Sequence, residues 1–376
     1  MIGSEDILAA VARQTDALRE SMQFVHGHPE LGHEEHECSR YLCETLDAAG
    51  LKVEPSVGGM DTAFRATLRG RRPGATVGFV CLYDAVPAVR PDGRTEAVHS
   101  CGHGPIAGAV VAAALALAEL REGLAGSVAV IGCPSDEIHA PGSIAHGGGK
   151  ALSAEAGLWD DVDAALYAHP EFIDTVSLES RWMRRAVATV AGARSLETAD
   201  DAPLRAALAA LETARANVPN NAMLERLELD GDVEEGTGLT LRATFLVFGD
   251  TEDDVAQRQS AVQGALPDAD WELGRLVEAV RPDERVTAAV AAAFRTVGRE
   301  FVSDPPPLPF ATDFGNISRR CPAALIGVGR DGGWAFHTDE GAAQFASSDG
   351  EAAAITIAQV LALAAAELSE PAGAAG

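Results

Sequence analysis

The chain has 376 residues, 47% of them hydrophobic and 23% charged, with a mean hydropathy of +0.04. That is an ordinary globular composition, and the length exceeds what one hydrophobic core usually serves, so two domains are expected. A formal net charge of −27 argues against nucleic acid, whose phosphates need clustered Lys and Arg, and against anionic membrane surfaces. The acidic excess reads instead as a solubilising surface.

The first ten residues carry Glu5 and Asp6 and lack the basic and apolar regions of a signal peptide. A helix is predicted over 5–26 with Ser4 as its cap, and a second over 34–49 that stops at Gly50. Apolar, β-prone runs follow at 63–68, 76–83, 127–133 and 164–168, with a helix over 105–121 between the second and third. The apolar stretch at 107–120 is too short to span a bilayer, and a cytoplasmic protein is expected. Strands alternating with helices, and strands that are apolar throughout, indicate an α/β sheet covered on both faces. From 182 to 269 the pattern changes. Strand-like runs at 186–190, 224–229 and 239–247 and helical ones at 202–216 and 252–266 give a βαββα order, read as a small inserted α+β domain. Beyond Pro282 the first character returns and ends in a helix over 353–368. The expected domains are therefore 1–181, 182–269 and 270–376, the first and third being parts of one unit.

The six cysteines are Cys38, Cys43, Cys81, Cys101, Cys133 and Cys321, too sparse for a disulfide scaffold. Cys81 and Cys133 sit in apolar runs as buried thiols, whereas Cys101 alone has metal-ligand company. That company is Cys101, His103, Glu137, His169 and His337, each beside a turn or at the end of an apolar run. Imidazole and thiolate suit zinc and its neighbours, and carboxylates can bridge two ions. Asp84 follows one predicted strand, Asp136 and Glu137 another, and His169 a third. Ligands gather at the carboxyl ends of strands in open α/β sheets, so these positions can converge.

Several motifs carry a resemblance. His28-Pro29-Glu30-Leu31-Gly32-His33-Glu34-Glu35, Tyr83-Asp84-Ala85-Val86-Pro87, His99-Ser100-Cys101-Gly102-His103, Gly132-Cys133-Pro134-Ser135-Asp136-Glu137, Gly147-Gly148-Gly149-Lys150 and Thr312-Asp313-Phe314-Gly315-Asn316-Ile317-Ser318 together resemble the M20 family of metallopeptidases, in particular its amidohydrolase and aminoacylase branch. The resemblance implies a mixed, mainly parallel sheet flanked by helices (zinc-exopeptidase-like), with the insertion as a shortened lid. It implies Cys101, His103, Glu137, His169 and His337 as ligands of two divalent ions, zinc or else manganese or nickel. A close metal pair lowers the pKa of water to about 7 and polarises a carbonyl. Asp136 stands where the family has the Glu that serves as general base, one methylene longer. It reads as that base or as a carboxylate behind the ligands. Asp84 reads as orienting a ligand imidazole or as an ordinary turn residue. Gly315 and Asn316 read as a loop whose N–H groups face substrate, or as a plain turn. His139 and His146 flank an insertion and line either the pocket or the surface.

The lid departs from the family. There is no histidine between His169 and His337, where the family supplies one to stabilise an oxyanion, often in the partner subunit's site. The corresponding stretch is Gly192-Ala193-Arg194-Ser195-Leu196, and Arg194 and Arg242 read as substitutes or, more simply, as solvent-facing residues. Two functions remain open. One is a metal-dependent amidohydrolase of a small N-acyl amino acid, amide or specialised metabolite, not a general peptidase. The other is a hydrolytically weak, metal-bearing binding or accessory protein. A small-molecule substrate and a homodimer through the lid are the expected partners, with neither nucleic acid nor membrane.

Overall fold

The computed structural model describes residues 2–191, 208–209, 212, 222–230 and 240–371. The chain divides into two compact units, one of residues 1–179, 280–307 and 313–376, the other of 180–279 and 308–312.

The first unit begins with α1 (Ser4–Arg13), α2 (Thr15–Gly27) and α3 (His36–Ala48). The single helix expected over 5–26 is thus two. Gln14 leaves helical geometry at φ −93, ψ 9, and the Thr15 hydroxyl turns back to donate to Ala12 O at 2.8 Å, a local bond that competes with the helical ladder. Ser4 is the first helical residue, and Gly3 occupies the cap position without a side-chain bond. Then come β1 (Lys52–Pro55), β2 (Phe64–Arg69), β3 (Arg72–Cys81), a hairpin of β4 (Val86–Val89) and β5 (Thr95–Val98), and α4 (His103–Glu119). Next are β6 (Ala125–Gly132), α5 (Pro141–His146), α6 (Gly149–Glu155) and β7 (Ala164–Glu171). The second unit carries β8 (Trp182–Ala191), β9 (Ala222–Asp230), β10 (Thr240–Gly249), α7 (Glu252–Ala265) and β11 (Asp270–Val277). The first unit resumes with α8 (Glu284–Thr296), α9 (Phe314–Ser318), β12 (Ala323–Gly329), α10 (Asp339–Phe345) and α11 (Ser348–Leu368).

The first unit's sheet has the order β1-β2-β6-β3-β7-β12. Strands β6, β3, β7 and β12 run parallel, while β1 and β2 close one side antiparallel. This is the mixed, mainly parallel sheet that the resemblance implies. Strands β6, β7 and β12 are buried almost end to end, and β3 over its second half, as a helical cover on both faces gives. That cover includes α4, buried along nearly its whole length, and α11. By length and composition α11 could cross a bilayer, with a mean hydropathy of 1.5, yet 72% of that window is buried inside the fold.

The second unit is an antiparallel sheet of order β11-β8-β10-β9. Phe245, Val247, Leu241 and Ala243 of β10 and Ala188 of β8 pack with Val255 and Val262 of α7. A capping box between Thr251 and Asp254 starts that helix. The boundary expected at 269 is displaced, because Asp270–Val277 pairs with β8 and extends the insertion to Ala279. Its exposure pattern lacks the alternation that marks a strand in sequence. The helix expected over 202–216 lies almost wholly outside the described residues, as does Arg194. Arg242 is half-exposed, 3.7 Å from Glu272.

Candidate metal centre

Four parallel strands deliver the site. Because β6, β3, β7 and β12 share a direction, their carboxyl ends form one rim, the usual place for chemistry in such sheets. Asp84 follows β3, Asp136 and Glu137 follow β6, His169 lies near the end of β7, and His337 follows β12. Cys101 and His103 arrive on the turn into α4. Gly102 takes φ +96 there, open to glycine but strained for other residues, and this lets the two neighbours face the same space. Ser135 and His337, at φ 61 and 60, hold the left-handed region without being glycine, a strain that persists only where surroundings enforce it. Ser135 N donates to Glu35 Oε1 at 2.8 Å, and His337 N to Ser100 O at 2.9 Å.

The five candidate ligands come together. Cys101, His103 and His169 offer donor atoms within 4.8 Å of one another, and so do Cys101, Glu137 and His337. Cys101 Sγ belongs to both groups, 3.7 Å from His169 Nε2 and 3.4 Å from His337 Nε2. Glu137 Oε1 is 3.8 Å from His103 Nε2, and Oε2 is 3.6 Å from His337 Nε2. Each buried imidazole is oriented from behind. His103 Nδ1 donates to Asp84 O at 2.7 Å, with Asp84 Oδ1 at 3.0 Å, and His169 Nδ1 donates to Pro170 O at 2.6 Å. In the neutral ring each Nε2 is thereby left as a lone pair directed at the cluster. Asp84 also accepts Glu137 N through Oδ2 at 2.9 Å, so one buried residue holds two of the candidate ligands, His103 through its backbone carbonyl and Glu137 through its carboxylate.

The donor set fits a cation. His103 Nε2 and Glu137 Oε1 are buried with no hydrogen-bond partner, a costly state for polar atoms unless something binds them. Burial pushes the Cys101 thiol up to about 12 and the Glu137 carboxyl up to about 7. The same burial pushes His169 down to about 3. Burial also opposes charge on His103, but the charge and hydrogen bond of Asp84 outweigh it and hold that imidazole well above its ordinary value. A divalent cation reverses this balance, since it favours thiolate, carboxylate and neutral imidazole together.

Asp136 stands at the edge of the cluster. Its Oδ2 is 3.3 Å from His103 Nε2, and its Oδ1 pairs with the Lys150 ammonium. Lys150 is fully buried and also meets Asp313 Oδ1 at 2.8 Å. Glycines make room for this contact. A Cβ at Gly149 would collide with Pro134 O, and one at Gly148 with the Asp313 carboxylate. Gly315 and Asn316 are not in an open loop. Both lie in the helical turn α9, where Asn316 N donates to Asp313 O at 3.1 Å. His139 and His337 border one cavity beside the cluster, whereas His146 is exposed and packs edge-on to His33 at 5.6 Å. Sequence reasoning gave no role to Lys150, Asp313 or Glu35. All three stand inside the motifs quoted above, which was the available signal.

A stretch of 155 residues is 34% identical to a p-aminobenzoyl-glutamate hydrolase subunit of Escherichia coli, covering 38% of this chain and 30% of that protein. A stretch of 156 residues is 38% identical to the Xaa-Arg dipeptidase of Mus musculus, covering 38% and 32%. These matches span about a third of the length of either relative. The fold is similar to that of a dinuclear metal binding peptidase from the M20 family of Bacillus subtilis, with TM-score 0.65 at 19% identity over 96% of this chain and 99% of that one. The pattern of Peptidase family M20/M25/M40 matches residues 83–364. That range runs from the Tyr83-Asp84 turn past the last candidate ligand, His337, and the chain belongs to this family.

Proposed function

We propose that the chain is a metal-dependent amidohydrolase cleaving an amide bond in a small N-acyl amino acid, amide or specialised metabolite. The observation that carries this reading is the pair of donor groups sharing Cys101, with His103 Nε2 and Glu137 Oε1 left for a cation. Two divalent ions held by Cys101, His103, Glu137, His169 and His337, zinc or else manganese or nickel, would polarise the amide carbonyl and make water a nucleophile at neutral pH. The chain's own part is to orient and to move a proton. Asp84 and Pro170 O fix the two buried imidazoles. Asp136 accepts the water proton at Oδ2, a contribution of about 10²–10⁴-fold. A cavity of about 440 Å³ adjoins the cluster, bordered by Val86, Val89, Val98, His139, His337 and Thr338. That volume suits a small molecule.

Kinship alone does not exclude peptides, since a dipeptidase stands among the relatives. The preference for small N-acyl substrates comes from the lid. Loss of one oxyanion donor costs about 2.7–4 kcal/mol, and the chain has no histidine there to supply it. A homodimer through the lid belongs to the same proposal. Strand β9 ends its sheet and exposes Met223, Leu227 and Leu229, an edge that pairing would cover. Metal analysis, with turnover on a panel of N-acyl amino acids, N-aroyl glutamates and dipeptides, tests the reading. Metal bound without turnover on any of them would favour the second reading, a binding or accessory protein. The aspartate in place of the family's Glu and the missing lid histidine are what favour it.

A further inference from the structure

Among the described residues around this site, Lys150 is the one buried ammonium, with no exposed side-chain surface. Burying such a group is costly unless it is paired and hydrogen-bonded. It has two carboxylate partners, Asp136 and Asp313, and its Nζ lies 5.3 Å from the centre of the Tyr167 ring. Asp313 is fixed in turn, since its Oδ2 accepts Ala151 N at 3.0 Å and its side chain is 3% exposed. Lys150 and Ala151 are neighbours on α6, so Asp313 grips both the side chain and the backbone of one helical turn.

Asp136 is consequently held from both ends. Its backbone follows Ser135, whose N–H is bound by Glu35. Its Oδ1 faces Lys150, and its Oδ2 faces His103 Nε2 at 3.3 Å. An aspartate has two side-chain torsions, and fixing both oxygens on opposite partners leaves one orientation. A glutamate in the same place would carry its carboxylate a methylene further, off the ammonium or into His103. We propose that Lys150, braced by Asp313, is a positioning residue that aims the Asp136 carboxylate at the metal cluster, and that this brace is what suits an aspartate to the position. The ammonium is sealed from the cavity, so it acts through Asp136 and does not touch substrate.

The proposal rests on Asp136 being the base, and its test separates the two ideas. Turnover is measured for wild type, Lys150→Met, Asp136→Asn and the double variant. Lys150→Met should lose about 10²-fold in kcat, with KM within about threefold and metal content retained. The same change made on Asp136→Asn should cost less than about threefold, because the group it aims is already gone. An equal loss in both backgrounds, or unchanged kcat in Lys150→Met, overturns the proposal. If Lys150→Met fails to fold, Lys150→Met/Asp313→Asn removes the ammonium together with one carboxylate, and the cycle is repeated on it with the same two outcomes. Thermal unfolding of the metal-free proteins gives a readout without substrate. A tether predicts that the Tm loss of the double variant is smaller than the two single losses together, and additive losses overturn it. Absence of wild-type turnover on every substrate removes the hydrolase reading and leaves this coupling to be judged on Tm.

Discussion

Glu35 should make the stability of this protein fall as pH rises, and Glu35→Gln should abolish that part of the fall. Its carboxyl is fully buried, Oε1 accepting Ser135 N and Oε2 accepting Thr62 Oγ1, each at 2.8 Å. Burial first, and then the nearby Asp84 charge, push it from 4.5 up to about 8. In the unfolded chain the group ionises near its ordinary value. Between the two values the folded state therefore holds a proton that the unfolded state has released, and the unfolding free energy declines with pH. The contribution is fully present below about 4.5 and is lost as pH rises through about 8. At 1.36 kcal/mol per unit, the shift is worth at most about 4–5 kcal/mol. Solvent relaxation in the buried site reduces this to a few kcal/mol. Glutamine keeps an oxygen for Ser135 N and presents an amide to the Thr62 hydroxyl, so packing is conserved. Urea unfolding of the metal-free proteins at pH 5, 7 and 8.5 is the assay. Near pH 5 the two proteins should be about equally stable, and by pH 8.5 the variant should lead by about 2–4 kcal/mol. Parallel stability curves across this range would refute the assignment of a buried, protonated Glu35 behind the Ser135-Asp136-Glu137 turn.

Cys101→Ala should deplete both donor groups at once, because Sγ is shared, whereas His169→Ala should weaken one. Elemental analysis after gel filtration decides this, and full occupancy with unchanged activity in both variants sinks the ligand assignment. Asp136→Asn should keep fold and metal while losing roughly 10²-fold or more in turnover, and wild-type kinetics would remove the residue from the mechanism. Asp136→Glu should lose activity as well, since the longer side chain breaks its pairing with Lys150, and a marked gain would contradict that geometry. Mixed dimers of two inactive variants, one altered at Asp136 and one altered in the lid around Arg194, should regain no activity, because the chain has no histidine to lend between His169 and His337. Restoration would show that another group crosses between subunits.

Local pattern made much of this protein legible. The strand runs and α4 follow from hydrophobicity and turn residues. Cys101 and His103 stood out because both candidate ligands sit on one glycine turn, so their relation is written within three residues. His169 and Glu137 were readable as donor types at strand ends. The break at Gln14 was not readable, because a single hydroxyl bond from Thr15 decides it against a continuous helical pattern. Strand β11 was hidden because it is largely exposed and is ordered by its ladder with β8.

Sequence by itself thus showed the candidate donor types, an α/β sheet covered on both faces and a change of pattern at the inserted unit, since each depends on residue type and short-range periodicity. Only the tertiary structure decided what surrounds the donors. Asp136, Lys150 and Asp313 stand up to 177 positions apart, and nothing local says that one ammonium serves two carboxylates. Glu35 reads in sequence as one acid of a polar run. The fold buries it against Ser135, and there the loss of water sets its charge.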